Sequence, residues 1–170
     1  PTGTGKTSLL RALLGLDAFS TGSVHYGGRK LEEGAFGPSA RPFAWVPQDA
    51  PLIADSLAKN VELGASAAPA SDALHSIGAH DLTVQLGDAR LGAGGRVVSG
   101  GERQWISLAR AIATRQPVLL LDEQTSGLDS VSEERVLETI RRFKGERTVV
   151  MVTHRPGPLR IADRVLTLGA

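Results

Sequence analysis

Residues Ser99–Glu123 read S-G-G-E-R-Q-W-I-S-L-A-R-A-I-A-T-R-Q-P-V-L-L-L-D-E. Trp105, Leu108, Ala109 and Ile112 recur at i, i+3, i+4 and i+7, which puts them on one face of a helix over Ser99–Thr114. Ser99 and Glu102 form an S-x-x-E capping box at its start. Val118 to Leu121 is an unbroken aliphatic run and predicts a strand buried on both faces. The strand stops abruptly at Asp122 and Glu123, two carboxylates at the edge of a core, where ionised groups are rarely placed without a partner.

Working outward, the same alternation repeats. Leu9, Leu10, Leu13 and Leu14 predict a helix from about Lys6 to a stop at Gly15. Gly22–Tyr26, Gly27-Gly28 and Arg29–Leu31 read as a small hairpin, and Phe43–Val46 as a short strand ended by Pro47. Asp55–Gln85 reads as a few short helices broken at Gly64, Pro69 and Gly78. Ser130 with Glu133 predicts the cap of another helix, with core face Val136, Ile140 and Phe143 and a stop at Gly145. Thr148–Val152 and Arg164–Leu168 read as further strands, the first of them buried. Aliphatic strands alternating with helices predict an α/β fold with a parallel sheet covered on both faces.

Composition removes several function classes. The 170 residues suit one domain with a small subdomain. With 41% hydrophobic and 22% charged residues, the chain is neither a disordered tail nor a low-complexity array. A net charge of +1 gives no whole-chain attraction to nucleic acid or anionic lipid, so no nucleic-acid partner is expected. With Cys 0 there is no disulfide framework, cysteine zinc site or thiol nucleophile. No aliphatic run approaches the roughly 18 residues that a membrane helix needs. Position 1 is Pro and the first motif begins almost at once, which reads as a piece cut at its N-terminus from something longer.

Four groups of residues could carry chemistry. Thr2–Thr7 read T-G-T-G-K-T, most of the phosphate-binding pattern G-x-x-x-x-G-K-[ST]. Glycines let backbone N–H groups curl around phosphate oxygens, and a helix beginning near Lys6 points its positive end at them. Lys6 would pair with the β and γ phosphates and Thr7 would put its hydroxyl on Mg²⁺; a glycine turn that simply caps a helix fits the same string. Asp122 would hold Mg²⁺, directly or through water, and Glu123 would polarise an attacking water as general base. A strand running out into solvent is the other reading of that pair. At Ser99-Gly100-Gly101-Glu102 the capping box accounts for Ser99 and Glu102 alone. Two glycines weaken a helix start and leave amides bare for an anion. Gln48 and His154 each follow a strand, and open parallel sheets bind ligands at the carboxyl ends of their strands.

Taken together, these motifs stand in the order of the ATP-binding-cassette (ABC) ATPases, which the sequence closely resembles over essentially its whole length. They are T-G-T-G-K-T (Walker A), Gln48 in V-P-Q (Q-loop), V-S-G-G-E-R-Q at Val98–Gln104 (signature), V-L-L-L-D-E (Walker B), S-G-L-D at Ser126–Asp129 (D-loop) and V-T-H at Val152–His154 (switch histidine). The resemblance implies a P-loop NTPase fold: a RecA-like parallel sheet core from 1–50 and 115–170, and a small α-helical subdomain at 51–114 that carries the signature. It implies ATP and Mg²⁺ as ligands. Gly3, Thr4, Gly5, Lys6, Thr7 and Ser8 would bind phosphates, and Thr7, Gln48 and Asp122 would serve the metal. Glu123, His154 and Gln48 would be catalytic, with His154 on the γ-phosphate. Ser99, Gly100 and Gly101 would complete the nucleotide site of an opposite subunit, and Asp129 would communicate across that interface, so a homo- or heterodimer is expected.

The Q-loop region P-Q-D-A-P-L-I-A-D-S-L-A-K-N-V and G-A-G-G at Gly92–Gly95 are similar to exporter-type cassettes, and the T-H-R-P ending to CydC/CydD-like exporters. That implies ATP hydrolysis powering export at the cytoplasmic face of the cell membrane, with a transmembrane domain on the same full-length chain. A soluble ABC protein that uses ATP as a clamp is the alternative. The signature opens with Val98 where Leu is usual and carries Glu102 where Gln is usual. Gln124 stands where the family mostly has Pro or Ala.

Overall fold

The strand β4 (Val118–Asp122) is buried at all five positions and organises the rest. It lies at the centre of a parallel three-stranded sheet, between β3 (Phe43–Val46) and β5 (Thr148–Val152). The register sets Phe43 beside Val118 and Val46 beside Leu121 on one side, and Val118 beside Thr148 and Asp122 beside Val152 on the other. All three strands therefore end at one edge of the sheet. The computed structural model describes residues 5–18, 20–37, 40–63 and 67–168; Gly3, Thr4 and the break expected at Gly64 lie outside them.

Because side chains alternate along a strand, β4 feeds two cores. Val118 and Leu120 pack with Leu10, Leu13 and Leu14 of α1 (Lys6–Leu14), together with Phe43 and Trp45. Leu119 and Leu121, with Ala44 and Val46, face the larger core, which α5 (Gly100–Ala113) and α6 (Ser130–Arg142) close. The helices α2 (Leu57–Val61), α3 (Ala70–Ser76) and α4 (Asp81–Leu86) extend that core through Val61, Leu74 and Leu82. Arg110 of α5 ties them in, donating to the carbonyls of Asn60 at 2.8 Å and Pro51 at 3.0 Å. The hairpin β1 (His25–Tyr26) and β2 (Arg29–Lys30) turns at Gly27 and Gly28, both at positive φ as a two-residue hairpin turn demands. The last helix, α7 (Pro156–Leu159), packs on α6.

The end of α1 is fixed by a buried arginine. Gly15 takes φ +77, and a Cβ there would lie 2.3 Å from the Ala35 carbonyl oxygen, so glycine is required for both conformation and space. Arg41, 3% exposed, donates to the carbonyls of Leu13 at 2.7 Å, Glu32 at 2.6 Å and Ala35 at 2.5 Å. One side chain thus joins the C-terminus of α1 to the loop that leads into β3.

Three expectations from the sequence are corrected. Arg164–Leu168 forms no strand, and Val165, Leu166 and Leu168 are 57%, 82% and 40% exposed. A strand exists only through a hydrogen-bonded neighbour, and this segment pairs with neither edge strand of the sheet, β3 or β5. β5 is a half-exposed edge strand rather than a buried one. The cap of α6 is Asp129, not Ser130 with Glu133: Asp129 Oδ1 accepts from the amides of Val131 and Ser132, each at 3.0 Å.

Replacing Arg41 with Met should leave three inward-facing carbonyls without their donor. The expected loss is about 3 kcal/mol in urea unfolding, seen as a lower midpoint with the slope unchanged.

Candidate functional site at the carboxyl edge of the sheet

The parallel register delivers the ends of β4 and β5 to the N-terminus of α1. Asp122 is the last residue of β4 and 1% exposed, and its carboxylate hydrogen-bonds Thr7 in the first turn of α1. The Asp122 Oδ1 atom is buried with no hydrogen-bond partner. Burial pushes the Asp122 carboxyl above its usual range, and the neighbouring Glu123 adds to the rise; the Thr7 hydroxyl and the Lys6 ammonium oppose it. A desolvated oxygen aimed at the start of a helix, with Lys6 and Thr7 beside it, is a costly arrangement for a fold to keep for its own stability.

Glu123 follows in the left-handed region, at φ +50, which non-glycine residues seldom occupy. Its amide donates to the Val152 carbonyl at 3.0 Å, and its own carbonyl accepts from Ser126 at 2.8 Å. Held this way, Glu123 places Oε1 3.2 Å from Nδ1 of His154, which stands two residues beyond β5. Backbone strain at one acidic residue, facing an imidazole across the sheet edge, points to chemistry at this turn.

Of the residues singled out in the sequence, Lys6, Thr7, Asp122, Glu123 and His154 are brought together. Gly5 precedes them at φ +75, and Ser8 is exposed on α1. Gln48 is exposed, one residue past a carbonyl that belongs to the same edge. Ser99, Gly100 and Gly101 are not brought to that group by any described contact. They open α5 in the expected capping box, with the Glu102 carboxylate accepting from the Ser99 amide at 2.7 Å and Ser99 Oγ from the Glu102 amide at 3.2 Å. Gly100 and Gly101 have open space where a Cβ would stand, so packing inside this chain does not require either glycine. Asp129 is occupied in capping α6, and the amide and hydroxyl of Ser132 hold its carboxyl below the usual range.

A family model for ABC transporters matches residues 1–126. The chain belongs to the ABC transporter family. It is 32% identical to a protein of Danio rerio described as a mitochondrial iron-sulfur clusters transporter ABCB7, over 98% of this chain and 23% of that protein. It is 36% identical to the beta-(1→2)glucan export ATP-binding/permease protein NdvA of Agrobacterium vitis and 33% identical to an ATP-dependent lipid A-core flippase of a Polaromonas strain. Each of those two matches covers 99% of this chain and 30% of the relative. A solved structure of a bacterial Atm1-family ABC exporter with ATP bound superposes with a TM-score of 0.79 at 31% identity, covering 96% of this chain and 29% of that one. The chain thus spans less than a third of the length of these relatives. This is the P-loop ATPase domain of an ABC protein, and the family binds ATP, generally with Mg²⁺.

The residues of this ABC domain fit that pair of ligands. Among the described residues no three His, Asp or Glu side chains gather into a metal cage. Mg²⁺ needs none, since it is held by one or two protein oxygens beside phosphates and water. The unpartnered Asp122 Oδ1 and the Thr7 hydroxyl are oxygens of that kind.

Three residues that the sequence reading passed over hold the Walker B and D-loop segment in place. Gln104 of α5 donates to the Ser126 carbonyl at 3.1 Å. Arg155, next to His154, donates to the carbonyls of Thr125 and Leu128 and pairs with Glu133 at 3.1 Å. Gln124, 4% exposed, donates to the Pro47 carbonyl at 3.0 Å. In the sequence Gln104 closes the signature string, Arg155 stands in T-H-R-P and Gln124 departs from the family pattern, but none of the three was read as a tether.

Asp122→Asn should raise the melting temperature by about 3 °C in the absence of nucleotide and divalent cation, because it removes a desolvated charge. Asp122 binds its proton more tightly folded than unfolded, so native stability falls as pH rises from the ordinary carboxylate range through the raised value. Thermal melts across that range should lose this component in the Asn variant.

Proposed function

We propose that this domain hydrolyses ATP to drive export, as the nucleotide-binding part of a membrane exporter. The observation that carries the reading is the Asp122–Glu123 pair, Asp122 buried and Glu123 strained at the edge of the sheet, with Thr7 and Lys6 on one side and His154 on the other. The relatives are exporters and flippases by description, which favours export over a soluble ATP-dependent clamp.

In this reading Lys6 and the amides that open α1, with Gly3, Thr4, Gly5 and Ser8, bind the phosphates. Thr7, Asp122 and Gln48 hold Mg²⁺, which when bound neutralises charge on the phosphate oxygens. Glu123 takes a proton from the attacking water, and the turn at φ +50 fixes where its carboxylate points. His154 holds that carboxylate at 3.2 Å and would contact the terminal phosphate. Catalysis of this kind is positioning and electrostatics, so the tethers matter as much as the acids.

Ser99, Gly100 and Gly101 serve a second nucleotide-binding domain. The Glu102 carboxylate takes the Ser99 amide, among the described residues no hydrogen bond takes the amides of Gly100 and Gly101, and a head-to-tail pair of domains would bring these to the phosphates bound by the other. Asp129, the last residue of the D-loop, would communicate across that interface. The segment 51–114 acts as a helical subdomain that carries the signature, with 1–50 and 115–170 as the nucleotide-binding core. No described helix is long and apolar enough to cross a membrane. In this reading the membrane work falls to a transmembrane domain, and this domain operates at the cytoplasmic face.

Glu123→Gln in the protein expressed from its complete gene tests the reading. ATP-bound dimers should accumulate on size-exclusion chromatography, and phosphate release should fall by about a thousandfold. Turnover at the unsubstituted rate would remove Glu123 as the base.

A further inference from the structure

We infer that Gln124 is a positioning residue for hydrolysis, holding the start of the Gln48 loop against the turn that carries Glu123. The inference rests on the roles proposed above for Glu123 and Gln48. The β3–β4 ladder pairs Val46 with Leu121 and goes no further, because β3 ends at Val46 while β4 runs on to Asp122 against β5. The next group along β3 is the carbonyl of Pro47, a residue with no backbone N–H of its own. Val118 donates to the Pro42 carbonyl, so the β3 carbonyls that meet β4 alternate from Pro42 and the ladder offers no amide to Pro47. Gln124 supplies a donor from its side chain instead: Nε2 reaches the Pro47 oxygen at 3.0 Å across 77 residues of sequence.

The two ends of this hydrogen bond are adjacent in sequence to the groups that matter. Gln124 follows Glu123, and Pro47 precedes Gln48. Gln48 itself is exposed, so nothing packed around its side chain sets its position, whereas the Gln124 amide is 4% exposed and fixed. The tether converts the rigidity of the sheet edge into a defined starting point for an exposed polar side chain. Ala, Pro or Met at 124 has no donor and would leave the Pro47 carbonyl to water. The loss would appear in the catalytic step rather than in ATP binding, because phosphate contacts at Lys6 and the α1 amides are untouched.

Gln124→Met, nearly the same shape without a donor, and Gln124→Ala should be compared with the unsubstituted protein expressed from its complete gene. Without nucleotide, hydrogen exchange over Gln48–Ala54 should speed about fivefold in both variants, with exchange in α5 unchanged. With Mg-ATP, kcat should fall about fivefold and KM for ATP should stay within twofold. In a Gln48→Ala background, Gln124→Met should have no further effect on kcat, since the tether acts through Gln48. Unchanged exchange over Gln48–Ala54 in either folded variant overturns the inference. So does a fall in kcat that simply multiplies with that of Gln48→Ala. An unsubstituted protein that never hydrolyses ATP refutes the proposed function instead, and the exchange measurement still decides whether the tether exists.

Discussion

A carboxylate at the end of a buried strand is the constraint from which the rest of this domain follows. β4 is flanked by strands on both sides and covered by helices on both faces, so Asp122 leaves the core with one oxygen bonded to nothing. The parallel register then determines what stands around it. α1 leads its first turn to the same edge, β5 brings His154, and β3 brings the Gln48 loop. The geometry of the site is largely the geometry of three strand ends.

What surrounds Asp122 is tied down by side-chain amides and guanidinium groups bonding to backbone carbonyls. Gln104 and Arg155 hold carbonyls of the segment 123–128, and Gln124 ties that segment to the Pro47 carbonyl. A loop that had to carry a strained acid with only its own turn bonds would relax. Here the cost at Glu123 is offset from three directions, each beginning on a different element. The same contacts link the helix carrying the signature glycines, the switch histidine and the Q-loop to one short stretch of chain.

Local features were legible in the sequence. The leucine spacing of α1 and its glycine stop, the Ser99–Glu102 box and the aliphatic run of β4 all formed as read, since each is fixed by residues close in sequence. Errors arose where two local patterns competed or where a partner was needed. Around α6, Asp129 with Ser132 outcompeted Ser130 with Glu133, because Asp129 accepts two amides while Glu133 is drawn away to Arg155. Arg164–Leu168 has a strand-like composition but pairs with neither edge of the sheet. The motif residues were legible as a set, but the residues that fix them were not. Arg41 and Gln124 act across 28 and 77 residues, and no periodicity records such a contact.

The crossover between β3 and β4 bears on how this chain acquires its fold. Phe43 cannot meet Val118 until everything between them has left the ribosome, and no strand before β4 in the described chain can take its place. The intervening helices make mostly local contacts and can form early, whereas the sheet must wait and then close a long loop. Until β4 emerges, the apolar faces of β3 and α1 have no partner. The interval of synthesis between residues 46 and 118 is therefore when the nascent polypeptide most depends on protection from aggregation.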